Sequence, residues 1–362
     1  MNQKTTDYII VGQGLAGTLL AYFLQREGKS VYVIDQEHWG SASAVAAGLI
    51  NPITGRRFVK SWMIEKLIPA AEATYLELEQ LLKIRLYHPR NIIRALFNSR
   101  EENDWLARSG EAGYHRFMAE EARWDDFTQH TEAAYSYGEL LQSAQVDVPL
   151  LIKAYRKHLN EKGIIRSERF DYSQIHFDNV LVEYKGIKAE KIIFCEGHQS
   201  RYNPYFAYLP FNPAKGEILI VKIPEAGFTK LFKHRVFIAP LGNDLYWVGA
   251  TNDWDFDNDS PTTEARSFLK ERLQDILTIP FEIVTHQAAI RPTVKDRRPM
   301  LGFHPHFPAL VIFNGLGTKG ASLGPYWAGH MTEVLTKNGS LDKRVDIKRF
   351  VEIYAKPDKA SS

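Results

Sequence analysis

The stretch YIIVGQGLAGTLLAYFLQREGKSVYVID, residues 8–35, decides the fold. YIIVG is a short apolar run that reads as a strand, and the helix after it carries Leu15, Leu19, Leu20 and Phe23 at helical spacing. Gly28 supplies the helix stop, and SVYVID reads as a second strand ending on Asp35. Between the first strand and the helix lies GQGLAG, with glycines at 12, 14 and 17. In this context each glycine has a job: a tight turn at Gly12, close backbone approach to a pyrophosphate at Gly14, and close packing of helix on strand at Gly17. The helix N-terminus offers free N–H groups and the positive end of a dipole to the phosphates. Asp35, about twenty residues after the loop, is placed to accept hydrogen bonds from a ribose.

A second loop of the same spacing, GLGTKG, occupies Gly315 to Gly320. It follows the apolar run PALVIFN and precedes a helix, so it also aims a helix N-terminus at something electron-rich. No strand ending in an acid follows it. A second complete nucleotide unit therefore does not fit, and the simpler reading is one cofactor approached from two sides.

The chain of 362 residues is long enough for two domains or an interleaved pair, with room to enclose a large cofactor. A formal charge of +2 and scattered basic pairs, Arg56-Arg57 and Arg297-Arg298, give no composition-level reason to expect DNA binding. One cysteine, Cys195, excludes an internal disulfide and any multi-cysteine metal site. His304 and His306 lack partners at metal-ligand spacing and read as a solvated loop, so no metal is expected. No secretory leader and no apolar stretch of bilayer length is evident, which sets a cytoplasmic, reducing compartment as the expectation. EGKS at residues 27–30 has the tail of a P-loop, but Phe23 stands where that motif needs glycine.

Elsewhere, SASAVAA at residues 41–47 is a run of small side chains, helices are expected over residues 63–84 and in VDVPLLIKAYRKHLNEKG, and KIIFCEG reads as a buried strand meeting a glycine. GEILIVKI, RVFIAPLG and LYWVGAT suggest an antiparallel sheet, followed by a helix in SPTTEARSFLKERLQDIL with a Ser or Thr cap. The last helix is expected in ASLGPYWAGHMTEVLTKN. Residues 85–142 give mixed signals.

These blocks, with SASAVAAGLINP, PAKGEILIV, AIRPTVKDRRPMLG and FNGLGTKGASLGP, occur in an order that resembles the FAD-dependent oxidoreductases of the D-amino acid oxidase and glycine oxidase type. The resemblance covers most of the chain outside residues 85–142. It implies an α/β FAD-binding domain, Rossmann-like and of glutathione-reductase type, interleaved with an α+β substrate domain containing a mostly antiparallel sheet. The expected boundaries are 1–84, 143–212 and 287–362 for the FAD domain, and 85–142 with 213–286 for the substrate domain.

The resemblance further implies that Gly12, Gly14, Gly17, Asp35 and Gln36 hold the ADP half of FAD, and that Ser41, Ser43, Ala47, Gly48 and Leu49 run beside the pyrophosphate and isoalloxazine. Phe170 would meet adenine and Gly197 would pass the cofactor again, while Gly315, Gly317, Thr318, Lys319 and Gly320 would lie by the flavin N1 and O2 edge. Arg291 matches the arginine that clamps a substrate carboxylate, a task suited to a planar, permanently charged fork. The bland alternative for Arg291 is an ion pair with Asp296, and for Lys319 a solvated side chain. Val45 stands where one related group has a flavin-linking histidine, so the FAD is expected to be non-covalent. Tyr246 and Trp247 point to opposite sides of a strand and are expected mainly to pack the core.

The implied reaction is oxidation of the C–N bond of a small amine or amino acid by hydride transfer to flavin N5, with Arg291, Lys319 and Thr318 as the candidate catalytic residues, the last two contacting flavin O2 or substrate, and with an imine product that hydrolyses and dioxygen or another acceptor taking the electrons. GLGTKGASLGP is also similar to the flavin domain of the bifunctional enzyme that modifies the wobble uridine of transfer RNA, which makes tRNA the substrate under that alternative. The lack of basic bias and of a methyltransferase portion before the first strand weighs against it. A non-catalytic flavin-binding sensor is the third reading, and a carboxylate clamp at Arg291 argues against it.

Overall fold

In the computed structural model, residues 4–37, 40–178, 181–337 and 339–350 are described. Asn338, at the end of the last expected helix, and residues 351–362 of the expected FAD domain lie outside them.

Strand Lys4–Val11 runs parallel to Val31–Ile34 on one side and to Ile187–Phe194 on the other. Ile165–Arg166 extends the first side in parallel, and Leu310–Asn314 pairs in parallel with the far end of Ile187–Phe194. The sheet is mixed rather than purely parallel. Ile175–Phe177, Val182–Tyr184 and Met300–Phe303 join it as antiparallel strands. Ile9, Ile10, Val33, Ile34, Ile192, Ile193 and Phe194 have no exposed surface, as expected of strands buried on both faces.

Helix Leu15–Arg26 has Gly14 at its N-cap, and Gly28, at φ +75°, lies two residues beyond its end. It packs against helix Gly320–Lys337, which in turn packs on helix Ile64–Leu82. Helix Val148–Glu161 is capped by Asp147, whose Oδ1 accepts from Leu150 N at 2.9 Å, and carries a proline in its first turn.

The second large sheet has seven strands. In order they are Glu282–Arg291, Ala214–Lys222, Leu245–Gly249, Phe237–Gly242, Leu231–Lys233, Ile92–Leu96 and Ser136–Leu140. All neighbours are antiparallel except Leu231–Lys233 with Ile92–Leu96. One face packs on helix Thr263–Gln274 through Leu219, Val221, Tyr246, Leu269 and Leu273. Alternate residues, Ile218, Ala239, Trp247 and Ala289, face the other way and join the core shared with the helices. The clash of mixed signals in residues 85–142 has a simple cause: two short strands there find their partners across long sequence separations.

Candidate active site

A cavity of ≈ 780 Å³ lies between the two large sheets and is lined from both. That size falls in the usual ligand-pocket range of about 300–1,000 Å³. Among the expected cofactor residues, Gly12, Gly14, Asp35, Gln36, Ser41, Ser43, Ala47, Gly48, Leu49, Phe170, Gly197, Gly317, Thr318, Lys319 and Gly320 line it. Both glycine loops therefore open onto one space.

Gly17 and Gly315 do not line the cavity. A Cβ on Gly17 would sit 1.9 Å from the Gly12 carbonyl oxygen, so this glycine lets the helix close on the turn. Gly12 itself, at φ +96°, presses against Cys195, where an added Cβ would come within 2.6 Å of the carbonyl oxygen. Gly315, at φ +76°, packs on Val294.

The cradle at the first loop suits an anion. Helix Leu15–Arg26 has a glycine without a side chain at its N-cap and no acidic residue in its first turn, which leaves the dipole and the N–H groups beyond Leu15 for a ligand. Ser43 Oγ accepts from Leu15 N at 3.0 Å and ties the small-residue block to the helix start. Asp35 Oδ2 accepts from Gln13 N at 2.8 Å and Oδ1 from Glu37 N at 2.7 Å. Arg156, from helix Val148–Glu161, donates to Asp35 Oδ1 at 2.7 Å and to Ser167 Oγ at 2.8 Å. Phe170 stacks on Tyr184 with centroids 4.2 Å apart and presents an aromatic wall.

The second loop folds as a short 3₁₀ turn, Gly317–Lys319, that runs into helix Gly320–Lys337, again with no acid in the first turn. Asn314 joins it to the rest of the site: Nδ2 donates to Gly197 O at 2.8 Å, and Oδ1 accepts from Gly315 N at 2.7 Å. Lys319 is not a solvated side chain. Its Nζ donates to Ser61 Oγ at 3.0 Å and contacts Thr54 Oγ1 at 3.4 Å. Burial first, and then the Arg297 and Arg298 charges, lower its pKa from the ordinary lysine value.

Arg291 projects from the end of strand Glu282–Arg291 into the cavity. Nη1 and Nη2 each donate to Thr251 O at 3.2 Å, and Nη1 also reaches Asn252 Oδ1 at 3.2 Å. No carboxylate lies within ion-pair reach of it among the described residues. Asp296, the alternative partner, instead pairs with Arg349 at 2.8 Å. Burial lowers the Arg291 pKa from its ordinary value. The guanidinium passes over Gly216, where a Cβ would lie 1.9 Å from Nη2.

Several cavity residues carry no motif that announces them. Trp247 lines the cavity, with Nε1 donating to Val45 O at 3.0 Å, whereas Tyr246 goes to the opposite core and accepts from Phe228 N at 3.2 Å. Glu196, beside Cys195, is held by Tyr172 Oη at 2.6 Å and Asn203 Nδ2 at 2.8 Å, and burial pushes its pKa up to about 7. Arg56 and Arg57 sit exposed at the turn between Ile53–Thr54 and Val59–Lys60. His304 is buried rather than solvated, and its Nδ1 accepts from His306 N and Phe307 N, both at 3.1 Å. No group of three or more His, Cys, Asp or Glu side chains able to hold a metal occurs among the described residues. No helix among them is long and apolar enough to cross a membrane.

The same fold is found in known proteins. The structure is similar to glycine oxidase from Geobacillus kaustophilus, with a TM-score of 0.78 and 20% identity over 93% of this chain and 96% of that one. In sequence it is 23% identical to the bifunctional protein ThiO/ThiG of Nostoc sp. over 93% of this chain. It is 21% identical to the tRNA 5-methylaminomethyl-2-thiouridine biosynthesis bifunctional protein MnmC of Marinobacter nauticus over 96% of this chain. The chain spans about half the length of these two bifunctional proteins, 53% and 59% respectively. A family model described as FAD dependent oxidoreductase matches residues 7–334, so the chain belongs to the FAD-dependent oxidoreductases and FAD is its cofactor.

Proposed function

We propose that this enzyme oxidises the C–N bond of a small amino acid or N-substituted amino acid whose carboxylate is held by Arg291. One observation carries the reading: a half-buried guanidinium faces the cavity and, among the described residues, has a carbonyl and an amide oxygen as partners and no carboxylate. A charge removed from water without a counter-ion is costly, and a planar fork is matched by a carboxylate. Glycine oxidase and iminodiacetate oxidase, the names carried by similar structures, act on substrates of that kind.

FAD, when bound, supplies the hydride acceptor. The chain contributes position and electrostatics. Gly12, Gly14 and the start of helix Leu15–Arg26 would face the pyrophosphate, Asp35 the ribose and Phe170 the adenine. The start of helix Gly320–Lys337, with Lys319 beside it, would offset negative charge that develops at the flavin ring. Ile218, Phe237, Trp247 and Ala289 give the cavity an apolar wall. Such a wall excludes water and favours a neutral amine over an ammonium. The imine product would then hydrolyse in solution, and dioxygen or another acceptor would take the electrons. Val45 offers no nucleophile. Cys195 is buried against Gly12, and burial raises its thiol pKa well above the ordinary value, which fits an FAD held without a covalent link.

A transfer RNA carrying the amine would use the same residues for the same chemistry; its footing is the exposed basic turn at Arg56 and Arg57 beside Thr54 of the cavity wall. A non-catalytic sensor would have no use for an unpaired Arg291.

The test is anaerobic addition of amino acids and N-alkyl glycines, each beside its decarboxylated counterpart, to the holoprotein while its visible absorbance is followed. Bleaching by the carboxylated member of a pair supports the reading. Bleaching by dithionite alone, or equally by both members, overturns it.

A further inference from the structure

The cavity-side face of the seven-stranded sheet carries two cations directly opposite each other. Arg94, in strand Ile92–Leu96, is the register partner of Lys233, and Lys233 is the register partner of Phe237 on its other side. Phe237 lines the cavity, and Lys233 Nζ lies 4.8 Å from its ring centroid. Like charges placed opposite one another on neighbouring strands repel. Neither has a carboxylate within ion-pair reach among the described residues. Arg94 Nη2 donates to Gly55 O at 3.1 Å, with the guanidinium 4.5 Å from the Phe58 centroid, and Lys233 Nζ donates to Arg235 O at 3.1 Å. Glu101 is the acid whose charge reaches Arg94, but its Oε2 accepts from Phe97 N at 3.1 Å.

Gly55 belongs to the basic turn, so Arg94 fastens that turn to the sheet from one side. On the other side, Lys319 reaches Thr54 Oγ1. Lys319 and Arg94 thus hold the start of the basic turn from two sides, Arg56 and Arg57 follow it directly in the chain, and Lys233 lies opposite Arg94. Resting on the amine-oxidation reading above, we propose that Arg94 and Lys233, with Arg56 and Arg57, form a second anion site for a phosphate group on the far arm of the substrate. A phosphate suits the Arg94–Lys233 pair because it accepts a bidentate arginine and a point-charge lysine together, and its charge matches those two cations where one carboxylate would leave one unmatched.

Burial, and then the Arg94 charge, lower the Lys233 pKa to about 8, so its amine is partly free to react at that pH. A bound anion lifts such a pKa by a unit or more, which cuts the free amine at pH 8 about fivefold. The experiment is acetylation of the holoprotein with acetic anhydride at pH 8, read at Lys233 by peptide mass spectrometry. Inorganic phosphate should slow labelling about fivefold relative to sodium chloride of equal ionic strength, and Arg94→Gln should remove the protection. Arg56→Gln combined with Arg57→Gln, outside the core, gives a second test and should weaken it. O-phosphoserine and a short RNA are then compared at equal phosphate concentration. Stronger protection by the first places the phosphate on a small molecule, and by the second on a phosphodiester chain; both support the site. Lys233 labelling that is indifferent to all three probes overturns it. Arg291→Ala should leave phosphate protection intact. Protection without carboxylate-dependent bleaching therefore sinks only the amino-acid reading, and bleaching without protection sinks only this one.

Discussion

Arg156 Nη1 and Asp35 Oδ1 meet at 2.7 Å across 121 residues of sequence, with side-chain exposures of 10% and 18%. The carboxylate that ends the second strand is thus held in place by a helix from the middle of the chain. If Asp35 holds the ribose, Arg156→Ala should weaken FAD binding by about tenfold, the worth of one charge-assisted hydrogen bond. Fluorescence titration of the apoprotein with FAD checks this; an unchanged affinity would detach Asp35 from the cofactor.

Gly216 is the floor beneath Arg291. A methyl group there would occupy the space of Nη2, so Gly216→Ala should displace the guanidinium and reduce kcat/KM by about 10²-fold, as small misplacements of positioning groups do. Flavin content should be unchanged. Steady-state kinetics and the bound-flavin ratio measure the two together.

Gly17→Ala should act on the other side of the site. Its added carbon would meet the Gly12 carbonyl oxygen, forcing the helix off the turn. The expected result is a protein with lowered Tm and little bound flavin. Gly28→Ala should be milder, since no heavy atom lies near that position and only its φ of +75° resists the change.

Glu196 makes stability depend on pH. Its folded pKa of about 7 lies above the ordinary glutamate value, so the native state holds a proton that the unfolded chain releases. Its contribution is full below the unfolded pKa and is lost as pH rises through about 7. The apoprotein Tm should therefore fall between pH 5 and 7, with a change on the order of 2–3 kcal/mol in stability. Glu196→Gln keeps the shape and removes the titration, so the slope should flatten. A slope that survives the substitution assigns the effect elsewhere.

What could be read in the chain follows from how local each signal is. The first strand, loop and helix lie within one short segment, where period and glycine spacing act between near neighbours. The second loop is equally compact, and both loops were legible. Arg156 was not, because a buried arginine on an amphipathic helix looks like any other until the fold brings it to Asp35. The strands Ile92–Leu96 and Ser136–Leu140 stayed hidden because their place in the sheet depends on Leu231–Lys233, far along the chain. Trp247 fits a core position by pattern, and only the cavity that opens on its face of the sheet makes it a wall. For Arg291 and Lys319 the residue type suggested a role, but whether each was already paired required the structure.

The role of Arg291 is measured by stopped-flow reduction of the bound flavin, under anaerobic conditions, in the wild type and in Arg291→Ala. The variant should retain FAD and lose at least about 10²-fold in the second-order rate with the carboxylated substrate, the cost of a charge-paired contact. Its preference for that substrate over the decarboxylated amine should disappear. A variant that reduces at the wild-type rate, with the preference intact, would contradict that role.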